Sequence, residues 1–299
     1  ESTRAFPTIF QIKYPITGTP LVSIVIPNKD HVEDLRRCIQ SIVNKSTWTN
    51  YEIVVVENNS KEQSIFDYYK ELEALPQVQV VTYEGEFNYS RINNFGVSKT
   101  KGEYLLLLNN DTEVITPDWM EQLLMYAQRK DVGAAGAKLY YGDDTIQHAG
   151  VVIGLGAHRS AGHTHYKMPR QHLGYMGRLC YAQDVTAVTG ACLMVSRAAY
   201  DQVGGLDESF TISLNDVDFC LKLREAGYLN IFTPFAELYH YESKTRGMEE
   251  GEKLRRYERE CAHFREKWKA QLDAGDPYYN PNFSLDRSDY ALKDPVSGR

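Results

Sequence analysis

The chain has 299 residues, 42% of them hydrophobic and 24% charged, with a formal net charge of -7. That length supports one large domain or two small ones around a sizeable core, and the acidic balance excludes a general nucleic-acid binder, whose surface carries a basic excess. Cys38, Cys180, Cys192, Cys220 and Cys261 are odd in number, far apart and free of any CxxC, which predicts buried thiols in a reducing compartment rather than a disulfide framework or a zinc site.

Residues 1–20 carry Pro7, Pro15, Gly18 and Pro20 and read as an extended lead-in. Leu21 to Pro27 is a β-branched run closed by proline, a strand signal. From His31 to Val43, apolar residues at Val32, Leu35, Ile39, Ile42 and Val43 recur with a helical period. Tyr51 to Val56 predicts a second buried strand, 61–75 a helix, Val78 to Tyr83 a third strand, 90–100 a helix, and Tyr104 to Leu108 a fourth strand. Such alternation predicts a mostly parallel α/β sheet with helices on both faces.

The second half is less regular. Pro117 to Arg129 predicts a helix with proline at its start. Val132 to Leu139 reads as a strand of small residues, and 154–177, rich in Gly and His, as a long binding loop. Val185 to Val195 reads as one strand, Asp216 to Ala226 as a helix stopped by Gly227, and Leu229 to Thr233 and Ala236 to Tyr241 as two short strands. Over 249–272, Leu254, Tyr257, Cys261, Phe264, Trp268 and Leu272 mark an amphipathic helix. Its basic residues are nearly matched by Glu, which predicts docking on the domain rather than membrane anchoring. No apolar run approaches a membrane span and no signal-peptide pattern opens the chain. It starts at Glu1 rather than Met, so a longer parent protein is expected.

The first, second and fourth strands end in polar clusters: Pro27-Asn28-Lys29-Asp30, Glu57-Asn58-Asn59-Ser60 and Asn109-Asn110-Asp111. Asn and Asp are ordinary turn residues. Parallel strands nevertheless align these clusters on one sheet edge, where open α/β sheets bind ligands. Neither GxGxxG nor GxxxxGK[ST] occurs, so a dehydrogenase and a P-loop enzyme lack their main signals. Asp216 and Asp218 open a helix, where carboxylates serve equally as first-turn partners of the helix dipole or, for Asp216, as an ionised general base. His240, Lys244 and Arg246 fall in one turn-like segment, a set suited to a metal diphosphate. His158, His163 and His165 lie in the long loop with no Cys or acidic partner at ligand spacing, and Trp119 and Tyr175 read as either ligand-stacking or packing aromatics.

The ordered set PNKD, VVVENNS, GEYLLLLNNDTEV, TGACLMVSR, GGLDESF, NDVDFCLKLREAGY and HYESKTRG resembles the bacterial family 2 glycosyltransferases of GT-A fold, over roughly residues 21–248. The resemblance implies a GT-A domain over 21–248, with a nucleotide-sugar half (21–115) and an acceptor half (116–248), followed by a helix and tail (249–299). It implies inverting transfer from a nucleoside-diphosphate sugar, dTDP-rhamnose or a UDP-hexose, to a glycan or lipid-linked glycan hydroxyl in surface polysaccharide synthesis. By motif, Pro27, Asn28, Asp30, Glu57, Asn58, Asn93, Asn110 and Arg246 would contact the donor. Asp111 and His240 would hold Mn²⁺ or Mg²⁺, and Asp216 would be the base. Asn215 replaces the usual Glu, as in rhamnosyltransferase-like members. The implied setting is the cytoplasm, at the inner face of the membrane. A catalytically inactive sugar-nucleotide binding module of a larger protein is the alternative, since Asn109-Asn110-Asp111 supplies one carboxylate.

Overall fold

The architecture was derived from a computed structural model, which describes residues 8–242 and 251–294. Arg246, together with Lys244, lies outside the described residues.

The first half alternates as the periodicity requires: β1 (Val22–Asn28), α1 (Val32–Lys45), β2 (Tyr51–Glu57), α2 (Gln63–Leu72), β3 (Val78–Thr82), α3 (Tyr89–Ser98) and β4 (Tyr104–Leu108). Then come β5 (Thr112–Val114), α4 (Trp119–Ala127), β6 (Val132–Tyr140), β7 (Ile146–His148), β8 (Val151–Ile153) and β9 (Ala161–His163). The remainder is β10 (Gln183–Val185), β11 (Cys192–Ser196), α5 (Arg197–Gln202), α6 (Asn215–Glu225), β12 (Leu229–His240), α7 (Glu252–Lys267) and α8 (Lys269–Ala274).

One sheet carries the molecule, in the order β10-β12-β6-β11-β4-β1-β2-β3, with β5 paired to β12 and β7 to β6. β1 pairs in parallel with β2 and β4, and β2 with β3. β11 runs antiparallel to both β4 and β6, so the sheet is mixed and mostly parallel. Apolar clusters cover both faces. Ile24, Ile26, Ile53 and Leu106 pack on one, and Val25, Val54, Leu105 and Leu107 on the other, as alternating side chains of a doubly covered sheet must. Helix α3 lies close on β1 and β2 because residue 96 is glycine. A Cβ there would stand 2.5 Å from Val25 and 2.7 Å from Val56.

Several expectations for the second half change. The strand expected over 185–195 is two strands, β10 and β11, with different neighbours. Residues 186–191 leave the sheet between them, and Ala187 bridges back to Val151. The two strands expected over 229–241 are one, β12, whose register against β6 slips between Thr233 and Glu237. Pro234 sits in that slip and has no N–H to donate. The loop expected over 154–177 contains β9, paired with β8. The C-terminal helix is interrupted at Trp268, which joins α7 to α8 with ψ of 26°. Trp119 is a core residue, fully buried, its indole N–H donating to Ser46 Oγ at 2.9 Å. Tyr175 stacks on Tyr290 with ring centroids 5.4 Å apart. Among the described residues, no helix is long and apolar enough to cross a membrane.

Candidate active site

The parallel register sets Asn28 beside Glu57 and brings the ends of β1, β2 and β4 to one edge. A cleft of about 460 Å³ opens there, lined by Pro27, Asn28, Asp30, Asn58, Asn110, Asp111 and His240. Its floor is a hydrogen-bonded lattice. Asn110 Nδ2 donates to Asn28 Oδ1 at 2.6 Å, and Asn28 Nδ2 donates to the Tyr69 hydroxyl at 2.8 Å. Asp30 accepts from the Lys61 and Glu62 N–H groups at 2.6 and 2.9 Å. Burial opposes its charge, but these backbone donors outweigh it and hold the carboxyl below its ordinary value. Asn58 Nδ2 donates to the Tyr83 and Gly85 carbonyls, while its buried Oδ1 accepts no hydrogen bond among the described residues.

Asp111 and His240 come together through β5. The chain turns at Asn109-Asn110-Asp111, and Thr112 then pairs opposite His240 at the end of β12. The Tyr241 N–H donates to the Asp111 carbonyl at 2.9 Å. This leaves His240 Nε2 3.1 Å from Asp111 Oδ1. His240 Nδ1 meets Gln147 Oε1 at 2.6 Å. The amide oxygen only accepts, so Nδ1 donates to it, while Nε2 faces Asp111 Oδ1 and also meets Asn109 Nδ2 at 3.0 Å. Gln147 is itself held by Glu242, through Nε2 to Oε2 at 3.0 Å. At 3.1 Å, an imidazole nitrogen and a carboxylate oxygen are close enough that both would reach a single divalent cation. No group of three or more acidic, His or Cys ligands exists among the described residues.

A second compartment of about 400 Å³ adjoins the first and shares Tyr89, Asn109, Ile212, His240 and Glu242 with it. Asp216 lines it, with His163, Gly190, Ser213 and Tyr257. Asp216 is the second residue of α6, behind Leu214, whose φ of 63° puts the chain in the left-handed region. It is not the capping residue. Its Oδ2 accepts from the Gly190 N–H at 2.9 Å and its Oδ1 from the Val217 N–H at 2.8 Å. The 186–191 connection that leaves the sheet thus holds the side chain in place. Asp218, two residues on, serves the packing of the C-terminal helix instead. It is fully buried, with Oδ1 2.7 Å from Lys267 Nζ and 2.8 Å from the Trp268 indole nitrogen.

Pro27, Asn28, Asp30, Asn58, Asn110, Asp111 and His240 therefore share one cleft and Asp216 its neighbour. Glu57 and Asn93 do not line either compartment. Glu57 is buried, accepting from Ser60 N–H at 2.6 Å and from the Ser60 and Tyr69 hydroxyls. Asn93 is fully buried in α3, donating to the Tyr89 carbonyl at 2.8 Å. His163 lines the second compartment, and its Nδ1 meets Nδ1 of buried His148 at 2.8 Å. Sequence reasoning misses Gln147, Tyr89, Lys253 and Arg256. Lys253 and Arg256 project from the start of α7 into the first cleft. A helix repeat reports which side chains are apolar, not which charged ones meet a distant strand end.

Solved structures define the class of fold. GalNAc-T7 with UDP, GalNAc and Mn²⁺ superposes with a TM-score of 0.65 at 17% identity, over 85% of this chain and 50% of that one. The mannosyltransferase PcManGT of Pyrobaculum calidifontis, in complex with GDP-Man and Mn²⁺, superposes at 0.57 and 14% identity, over 86% and 74%. The fold is that of the GT-A glycosyltransferases. Residues 23–204 match the family model for glycosyl transferase family 2, and the chain belongs to that family. An uncharacterized protein of Sinorhizobium fredii, y4gI, is 46% identical over 97% of this chain and 32% of its own length. The O-antigen biosynthesis protein RfbC of Myxococcus xanthus is 34% identical over 98% of this chain and 22% of its own length. An N-acetylglucosaminyl-diphospho-decaprenol L-rhamnosyltransferase of Mycobacterium tuberculosis is 40% identical over 60 residues, 20% of each chain. The chain thus spans about a third or less of the curated relatives that match it throughout.

Proposed function

We propose that the chain is an inverting, metal-assisted glycosyltransferase, moving a sugar from a nucleoside-diphosphate donor to a hydroxyl of a glycan acceptor. The observation that carries this reading is His240, which lines two adjoining compartments and pairs with Asp111 in the first, with Asp216 in the second. The nucleoside lies against Pro27, Asn28, Asp30 and Asn58, whose unpartnered Oδ1 is an acceptor for a base N–H or ribose O–H. Asn110 completes that wall, and Lys253 and Arg256 add positive charge beside the diphosphate. Arg246 is proposed as a further diphosphate contact on the resemblance alone. Glu57 and Asn93 then act indirectly, Glu57 by fixing Tyr69 under Asn28.

Asp111 and His240 would hold Mn²⁺ or Mg²⁺, which supplies Lewis-acid stabilisation of the departing diphosphate. An acceptor hydroxyl in the second compartment gives its proton to the Asp216 carboxylate as its oxygen pair bonds to the anomeric carbon. The carbon–oxygen bond to the donor breaks, and its electron pair leaves with the nucleoside diphosphate. One displacement inverts the anomeric centre. The Gly190 and Val217 N–H groups hold the Asp216 carboxylate in place for this proton transfer.

The donor is proposed to be dTDP-rhamnose or a UDP-hexose, on the Asn215-Asp216 pair and the rhamnosyltransferase relative. The RfbC relative favours a lipid-linked or surface glycan acceptor, assembled at the inner face of the membrane by a longer protein. The test is a donor panel scored for nucleoside diphosphate release with and without Mn²⁺, run beside Asp216→Asn. Donor-specific release that the variant lacks is expected. Nucleotide binding with no release from any donor would favour the inactive-module reading.

A further inference from the structure

Besides the Asp218 contacts near its end, the C-terminal helix sends one buried carboxylate of its own towards Asp216. Glu260, in the middle of α7 and 6% exposed, points at the turn that precedes α6. Its Oε1 accepts from the Thr211 N–H at 2.7 Å, from the Thr211 hydroxyl, and from the Ile212 N–H at 3.0 Å. Its Oε2 accepts from the Ser213 N–H at 3.1 Å. Successive N–H groups converging on one anion form a nest, and here the anion is supplied by a side chain far along the sequence.

The opposite edge of the same turn is held by α3. The Tyr89 N–H donates to the Thr211 carbonyl at 2.7 Å, and Ser90 Oγ to the Phe210 carbonyl at 2.7 Å. Between these grips the chain passes through left-handed Leu214, and Asn215 Nδ2 donates back to the Ile212 carbonyl at 2.9 Å. Asp216 follows at once. Ile212 lines both compartments, and Ser213 and Leu214 line the second. The turn is therefore both the mount of Asp216 and one wall of the acceptor compartment.

We propose that Glu260 is a positioning residue for transfer: through its carboxylate, α7 fixes the 211–214 turn and thereby the place of Asp216 against the acceptor hydroxyl. The proposal rests on the reading of Asp216 as the base. It extends the working unit to a helix beyond the matched family region, which ends at residue 204. Removing the anion leaves three N–H groups of a half-buried turn without their acceptor, and the turn loses that anchor and shifts towards water. Displacing a reacting group by about 1 Å lowers a rate by about 100-fold. Ile212 is the turn's one residue in the first cleft, whose proposed nucleoside contacts lie at the ends of β1, β2 and β4.

The experiment compares the wild-type chain with Glu260→Ala and Glu260→Gln. Release of nucleoside diphosphate from UDP-glucose and dTDP-rhamnose is measured in Mn²⁺ with water as acceptor, and amide hydrogen exchange is followed on the same samples. For Glu260→Ala we expect faster exchange confined to 211–216, a fall in kcat of about 100-fold, and a donor KM within about threefold of wild type. Glu260→Gln keeps one acceptor oxygen for Thr211 and Ile212 and should fall between the two. A kcat within about twofold of wild type in Glu260→Ala overturns the proposal, as does exchange that rises equally in β1, β2 and β4. A wild-type chain that binds UDP or dTDP but releases nothing from any donor of the panel overturns the catalytic reading instead, and the exchange result then shows a purely structural clamp.

Discussion

At the scale of single residues, the candidate site depends on which atoms are left available. On the proposed reading His240 serves as a metal ligand, its Nδ1 held by Gln147 and its Nε2 set 3.1 Å from Asp111. Gln147→Leu should raise the Mn²⁺ concentration needed for half-maximal nucleoside diphosphate release by about 10–100-fold. An unchanged Mn²⁺ titration would remove Gln147 from the site. Chelation by EDTA should suppress release and added Mn²⁺ restore it, and full turnover in chelator would dissociate Asp111 and His240 from metal. Asp216→Asn keeps the size of the side chain but cannot take up a proton. Its turnover should fall by at least about 100-fold, while calorimetric binding of UDP or dTDP changes little. Asp111, His240 and Asp216 are legible as residues because each sits where a strand or helix end exposes a polar side chain. Gln147 is not, since an amide in a short strand carries no sequence signal until its neighbour is known.

At the scale of elements, α7 shows how a stripe and its polar interruptions divide the work. Cys261, Phe264 and Trp268 are buried as their spacing requires, while Leu254, at the outer end of the same stripe, stays 37% exposed. Phe264 has no exposure, so Phe264→Ala should destabilise the fold by about 3–5 kcal/mol, read as a shift in the urea midpoint. The last turn is tied by charge. Lys267 Nζ lies 2.6 Å from Asp207 and 2.7 Å from Asp218. Burial opposes the charge of Asp207, but Lys267 and Ser209 overcome it and hold the carboxyl well below its ordinary value. A depressed folded-state pKa contributes stability above the unfolded value of about 3.9 and loses it as pH falls towards the folded one. Stability should therefore decline below about pH 4, and Asp207→Asn should flatten that decline in unfolding curves taken from about pH 6 to about pH 2. An equally steep acid limb in the variant would place the sensitivity elsewhere.

At the scale of the whole molecule, the C-terminal tail fastens the segment whose sequence reads as a loop. Asp276 accepts from the Ile153 N–H at 2.9 Å, the Leu285 carbonyl from the Gly156 N–H at 2.8 Å, and the Ser288 carbonyl from the His165 N–H at 2.6 Å. Tyr279 and Tyr290 close a small apolar cluster with Val152 and Leu155. β9 and His163, on the wall of the second compartment, hang from this arrangement. Deleting residues from 276 onwards should open 154–177 to limited proteolysis and raise the dissociation constant of a glycan acceptor, with UDP or dTDP binding unchanged. Resistance of 154–177 to protease in the truncated chain would contradict this.

The amino-acid sequence by itself determined the alternating first half, because β-branched runs and helical periods are local and the right-handed crossover leaves few ways to assemble them. It also determined that polar residues gather at one sheet edge, since parallel strands end together. Only the tertiary structure decided the rest. β5 turns back to meet β12 and thereby sets Asp111 against His240. The 186–191 segment leaves the sheet to hold Asp216. Glu260 reaches the 211–213 backbone across sequence separations of 47 to 49 residues. These are contacts between segments remote in sequence, and no periodicity or propensity encodes a partner that distant; they exist because the folded sheet brings otherwise unrelated chain ends within hydrogen-bonding reach.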